Sequence, residues 1–77
     1  MEIQTFIKNF LYQFEEVPTE TITEETNFRD LENWDSLAAL AVVAMIDDDY
    51  GVALSFAEMK KCNTLSELFE AVKQKKD

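Results

Sequence analysis

With 77 residues, of which 47% are hydrophobic and 12% aromatic, the chain can build one small hydrophobic core. One glycine and one proline leave little material for tight turns, which argues against an all-β fold and for an all-α one. The formal charge of −9 argues against a nucleic-acid partner, and the lack of histidine removes the commonest general base and metal ligand.

The first ten residues mix polar and apolar side chains and lack the unbroken apolar core of a signal peptide. The single cysteine, Cys62, can form no internal disulfide and has no imidazole to activate it, so we predict a small core residue. We therefore expect a soluble, cytoplasmic monomer, with one domain over residues 1–77, no membrane insertion and no metal site.

The first predicted element is an amphipathic helix of about four turns that ends near Glu16, before Pro18. Its apolar residues recur at the spacing of one helical face: Ile3, Phe6, Ile7, Phe10, Leu11 and Phe14. From Val17 to Trp34 the chain is polar and without clear period, which predicts a long ordered loop. Its apolar residues are expected to pin it to the core; they are Ile22, Phe28 and Leu31.

The second predicted helix runs from Leu37 to Tyr50, and Gly51 supplies its C-terminal stop. One apolar stripe has the spacing of a core face: Ala39, Val42, Val43, Ile46 and Tyr50. The second stripe lies on another face and ends in acid: Leu37, Leu40, Ala41, Ala44, Asp47 and Asp48. A surface helix needs only one such stripe, so we predict that the second stripe is partly exposed and docks partners. The alternative is a sandwiched helix with both stripes buried.

Two capping-box patterns follow, Ser55-x-x-Glu58 and Thr64-x-x-Glu67. The first predicts a short third helix from Phe56 to Lys61. The second predicts a last helix with one apolar face, formed by Leu65, Leu68, Phe69 and Val72. The resulting fold is a four-helix bundle with a long first loop and a short third helix.

Asp47 to Asp49 resemble the start of a calcium-binding loop, with Glu58 at the twelfth position. The sixth position would be Val52 instead of glycine, so the spacing does not fit such a loop. A solvated acidic face and a docking role both remain open for these aspartates.

A short motif at the start of the second helix carries the chemistry. It resembles the acyl carrier and peptidyl carrier proteins, whose signature is Asp-Ser-Leu after a Phe-x-x-Asp-Leu stretch. The matching residues here are Phe28, Asp30 and Leu31, then Asp35, Ser36 and Leu37. The likeness continues through residues 46–50 and 63–65, and it covers the whole chain in length and helix order.

The resemblance implies a carrier that catalyses nothing itself. A phosphopantetheinyl transferase would move 4′-phosphopantetheine from coenzyme A onto Ser36, which Asp35 and Leu37 flank. The thiol of the arm would hold an acyl group as a thioester for partner enzymes that have basic and apolar docking patches. A phosphate on Ser36 would also lie at the positive end of the helix dipole. Ser36 could instead cap the helix, but Asp35 is available for that role.

Departures from the family pattern narrow the role. Ala38 and Ala41 stand where carriers of primary fatty-acid synthesis typically have acidic residues, which favours a carrier of a dedicated pathway. The cargo stays open between a fatty or polyketide-like acyl group and an amino acid, as in D-alanyl or peptidyl carriers, although the acidity favours the acyl branch. Trp34 replaces a small residue and could contact the core, the arm or a partner. A non-covalent acidic helical interaction module is the alternative of a different class.

Overall fold

The computed structural model describes residues 2–14, 22–31 and 34–76. Over these residues the chain forms four α-helices: α1 (Ile3–Leu11), α2 (Ser36–Tyr50), α3 (Phe56–Lys60) and α4 (Leu65–Lys76). A 3₁₀ turn at Phe28–Asp30 lies in the loop before α2. The predicted all-α class is confirmed, together with the short third helix. No helix in this part of the chain has both the length and the apolar run needed to cross a membrane.

The first helix is shorter than predicted and ends at Leu11. The side chain of Gln13 donates to the Asn9 carbonyl at 3.1 Å, in place of the backbone N–H that would continue the helix. The backbone N–H of Gln13 turns instead to the Phe10 carbonyl, also at 3.1 Å. This tighter bonding closes the helix, a stop that the apolar spacing does not reveal. Glu16 and Pro18, where we expected the end, lie outside the described residues.

Helices α1, α2 and α4 enclose the core. The predicted apolar faces of α1 and α4 are confirmed, since Phe6 and Phe10 are buried on α1 and Leu65, Leu68, Phe69 and Val72 are buried on α4. The ring of Phe6 lies 5.4 Å from that of Phe69 and 5.6 Å from that of Tyr50, so it joins all three helices. Cys62 is buried as predicted, and this burial raises the pKa of its thiol.

The buried face of α2 is wider than the predicted core stripe. Val42 and Ile46 are fully buried, and the other members of that stripe are partly buried. Ala38 and Met45 are also in the core, with only 8% and 5% of their surface exposed. The buried face therefore spreads toward these two residues. The helix ends as predicted, because Gly51 adopts a left-handed conformation with φ of 66°.

The loop before α2 is anchored to the start of α4. Backbone N–H groups of Leu65 and Ser66 donate to the carbonyls of Thr26 and Glu24, at 3.1 and 2.8 Å. The loop thus satisfies helix-end donors that would otherwise need a partner. The predicted pinning residues also contact the core, with Phe28 fully buried and Ile22 and Leu31 partly buried. The other parts of the predicted loop, residues 17–21 and 32–33, lie outside the described residues.

Candidate functional site

At the start of α2, the residue that caps the helix and the serine of the motif are two different residues. Asp35 is the N-cap residue, and its Oδ1 accepts the backbone N–H of Ala38 at 2.8 Å. Ser36 is the first residue of the helix and is exposed to solvent. Because Asp35 supplies the cap, the fold does not require the Ser36 hydroxyl for that role.

Ser36 borders a cleft of about 560 Å³ between the loop, the start of α2 and α3. The apolar wall of this cleft consists of Phe28, Trp34, Ala39, Phe56 and Met59. Three charged side chains complete the lining, those of Arg29, Asp35 and Lys60. The cleft is therefore apolar along most of its wall and carries more positive than negative residues, in a chain whose net charge is −9. Such a lining suits a neutral, largely apolar group held near an anionic one.

Trp34 packs against the core and also lines the cleft. Its ring lies 5.0 Å from that of Phe28 in an edge-to-face arrangement and is stacked 6.2 Å from that of Phe10. Aromatic pairs at such distances stabilise a fold beyond their buried area. The indole is half-buried and also lines the cleft beside Ser36. Of the three roles left open for Trp34, the structure shows the contact with the core.

Helix α3 forms one side of the cleft and is held by its capping box. Ser55 Oγ accepts the Glu58 backbone N–H at 3.1 Å, and Glu58 Oε1 accepts the Ser55 backbone N–H at 3.2 Å. The second carboxylate oxygen of Glu58 pairs with Lys75 of α4 at 3.0 Å. The Lys75 ammonium and the Ser55 backbone N–H keep the pKa of Glu58 below its ordinary value. Both predicted capping boxes are confirmed, and this one positions Phe56 and Met59.

Arg29 ties the loop to the end of α3. Its Nη1 donates to the Lys60 carbonyl at 3.0 Å and to Asn63 Oδ1 at 3.3 Å. Sequence reasoning missed Arg29, Lys60, Phe56 and Met59 as cleft residues. The one available signal was the position of Arg29, a basic residue inside the Phe28-to-Leu31 stretch of an acidic chain.

The second stripe of α2 faces solvent over most of its length. Leu37 is 76% exposed and Leu40 is 53% exposed, while Ala41 is half-buried. Ala44, Asp47 and Asp48 are exposed as well, so α2 is not sandwiched. Large apolar side chains exposed together are typical of interaction surfaces. In the part of the chain that the structure describes, no group of three or more potential ligands is arranged to hold a metal ion.

An exposed serine at a helix start, beside an apolar cleft in a small acidic helical protein, fits a carrier of a covalently attached group. The family model described as the phosphopantetheine attachment site matches residues 6–72. The chain therefore belongs to the phosphopantetheine-binding carrier family. No curated protein and no solved structure gives a significant match.

Membership in this family defines the cofactor and the type of partner. Its domains take 4′-phosphopantetheine covalently and catalyse nothing themselves, so the chain is a carrier and not an enzyme. Such domains interact with a phosphopantetheinyl transferase and with enzymes that act on the bound group. The described residues fit the arm, because an exposed serine borders a cleft with apolar and basic lining.

Proposed function

We propose that the protein carries an acyl group as a thioester on a 4′-phosphopantetheine arm attached to Ser36, for the enzymes of a dedicated biosynthetic pathway. The observation that carries the choice of Ser36 is its exposure beside the cleft. The chain has two other serines. Ser55 Oγ accepts the capping bond of α3, and Ser66 is half-buried at the start of α4. Ser36 is therefore the serine whose hydroxyl best fits transfer.

The transfer itself needs a general base. Ser36 Oγ must lose its proton as it forms the new bond to phosphorus, and the rest of coenzyme A leaves as a nucleotide. The chain has no histidine to accept that proton. We infer that the transferase supplies the base, which agrees with the non-catalytic nature of the family.

The apolar wall of the cleft favours an acyl cargo over an amino acid. An aminoacyl thioester carries a free ammonium group at neutral pH, close to the thioester carbonyl. Placing that ammonium against the apolar wall of the cleft would remove it from water, and Asp35 is the acidic residue of that lining. A neutral acyl chain would meet the apolar wall formed by Trp34 and Met59.

The second stripe of α2 is the proposed docking face. It begins beside Ser36 with the exposed Leu37 and Leu40 and ends at Asp47 and Asp48. A partner could bury the two leucines close to the arm, while its basic residues approach the aspartates. Ala41 lies between these parts and adds no charge, which supports a dedicated set of partner enzymes.

Intact-mass measurement after incubation with coenzyme A and a promiscuous transferase tests the attachment. The wild type and the matched control Ser55→Ala should each gain one phosphopantetheine, whereas Ser36→Ala should gain none. A mass gain on Ser36→Ala would show that the site is wrong. If the wild-type chain stays unmodified, the proposed carrier function is contradicted.

The cargo is tested on the same protein, loaded from medium-chain acyl-coenzyme A or from an aminoacyl analogue. The cleft should shelter the acyl thioester, so this thioester should hydrolyse more slowly than its free pantetheine counterpart. The aminoacyl form should gain less protection because its ammonium group is costly to bury against the apolar wall. Greater protection of the aminoacyl form would reverse the assignment of cargo.

A further inference from the structure

Basic side chains are scarce in this protein, yet two of them line the cleft beside Ser36. The chain has seven basic residues against sixteen acidic ones. Three of the seven, Lys73, Lys75 and Lys76, lie in the last turn of α4. Arg29 and Lys60 instead reach one cleft from different elements, the loop before α2 and the end of α3. The fold therefore brings two positive charges to the cleft that Ser36 borders.

We propose that Arg29 and Lys60 bind the phosphodiester of the arm and so set the direction in which the arm leaves Ser36. This inference rests on the proposed attachment to Ser36. The phosphodiester would be one bond away from Ser36 Oγ and carry one negative charge. It would thus lie at the edge of the same cleft as both basic side chains. Guanidinium and ammonium groups are the usual protein partners of phosphate oxygens.

Arg29 is pre-organised for this role. Its Nη1 is held by the Lys60 carbonyl at 3.0 Å and by Asn63 Oδ1 at 3.3 Å. A guanidinium group has five N–H donors in a planar fork, so these two contacts leave donors for an anion. Because its side chain is already ordered, Arg29 loses little conformational entropy when it binds the phosphodiester. Lys60 is exposed and adds a second, more mobile charge.

The net charge gives this pairing a second consequence. Attachment of the arm adds a negative charge to a chain that already carries −9. An unpaired phosphodiester would therefore increase repulsion within the folded protein. When Arg29 and Lys60 bind it, two positive side chains offset the added negative charge. The arm then stabilises the fold instead of straining it, and it is held against the cleft.

The test compares the melting temperatures of the unmodified and modified forms at low salt. The variants are Arg29→Gln, Lys60→Gln and the matched control Lys61→Gln, which removes the next lysine, an exposed residue that does not line the cleft. Modification should raise the melting temperature of the wild type and of Lys61→Gln by a few degrees, the size expected for exposed charge pairs in a domain of this length. This gain should shrink or reverse in Arg29→Gln and Lys60→Gln, and it should weaken in the wild type as salt is added.

A second readout follows the phosphorus atom directly. The phosphorus-31 resonance of the modified protein should shift in Arg29→Gln and Lys60→Gln but stay in place in Lys61→Gln. If all three variants match the wild type in both the melting difference and the phosphorus shift, the inference is wrong. Arg29→Gln also loses the hydrogen bonds to the Lys60 carbonyl and to Asn63. If this variant does not fold, the comparison of Lys60→Gln with Lys61→Gln decides whether the basic side chain of the cleft binds the phosphodiester.

Intact mass separates this failure from that of the proposed function. If Ser36 gains the arm but the substitutions of Arg29 and Lys60 have no effect, only the role of these basic residues is contradicted. If Ser36 gains no arm, the proposed attachment to Ser36 is itself contradicted.

Discussion

At the residue scale, the capping bonds of the helices decide which hydroxyl groups are available. Asp35 caps α2 and leaves Ser36 exposed, whereas Ser55 and Thr64 use their own hydroxyl oxygens to cap α3 and α4. Residues of similar chemistry at three helix starts thus have different roles. Substitution of Asp35 by alanine would remove the acceptor of the Ala38 N–H, and the Ser36 hydroxyl would then be the nearest side-chain group to replace it.

The cap of α4 predicts a pH dependence of stability. Backbone N–H groups of Thr64 and Asn63 donate to Glu67 Oε1 at 3.0 Å and hold the pKa of Glu67 below its ordinary value of 4.5. A carboxyl group whose pKa is lower in the folded than in the unfolded state stabilises the fold at pH values above its ordinary pKa. This stability is lost as the pH falls through the folded pKa. Glu67→Gln keeps an oxygen acceptor without the charge, so it should melt below the wild type at pH 7.

The difference between wild type and Glu67→Gln should close as the pH is lowered from about 5 to 3, below the ordinary carboxyl pKa. Thermal melts across this range measure it, and the difference between variants cancels the general effect of acid on a charged chain. Glu70→Gln, an exposed residue of the same helix, is the control. An equal difference at pH 7 and pH 3 would contradict the role of the Glu67 charge.

At the scale of the element, α2 is apolar over most of its circumference but is buried on one side only. Its core face includes Ala38 and Met45 as well as Val42 and Ile46. On the other side Leu37 and Leu40 remain exposed. A helix that is apolar all round is expected to be buried all round, so the exposed leucines agree with the proposed docking face.

A single charge on the exposed side tests this view. Ala41→Glu should cost about 1 kcal/mol or less, because a half-buried surface position can leave the new carboxylate in water. It should change the rate at which the transferase modifies Ser36, since the charge lies on the proposed docking face. Circular-dichroism melts and a modification time course measure the two effects.

Val42→Glu is the matched comparison, one residue further along the same helix. Val42 is fully buried, so its substitution leaves a carboxylate without a partner in the core and should unfold the protein. Collapse of the fold in Ala41→Glu as well would rule out the docking face.

At the scale of the whole molecule, the charge of −9 opposes the compact state. At 0.1 M, added salt largely screens the repulsion between surface charges more than about 10 Å apart, and Mg²⁺ would gather near Asp47 to Asp49. Relief of about 1 kcal/mol of repulsion would raise the melting temperature by about 4–8 °C in a domain of this size. A series from low salt to moderate Mg²⁺ measures the effect. A melting temperature that stays flat would show that self-repulsion contributes little.

The sequence by itself determined the features that depend on neighbours within about one helical turn. These are the helical faces, the two capping boxes, the stop at Gly51 and the motif around Ser36. Even there, the end of α1 was missed, because the Gln13 side chain replaces a backbone donor and no apolar pattern records such a bond.

Only the tertiary structure decided the cleft. Arg29 and Lys60 lie 31 residues apart and meet through one hydrogen bond, and Trp34 becomes a cleft wall because Phe10 and Phe28 hold its ring. The exposure of Leu37 and Leu40 likewise depends on which side of α2 the other helices cover. Local patterns state which residues can be buried or charged, but the packing of distant segments decides which of them share a site.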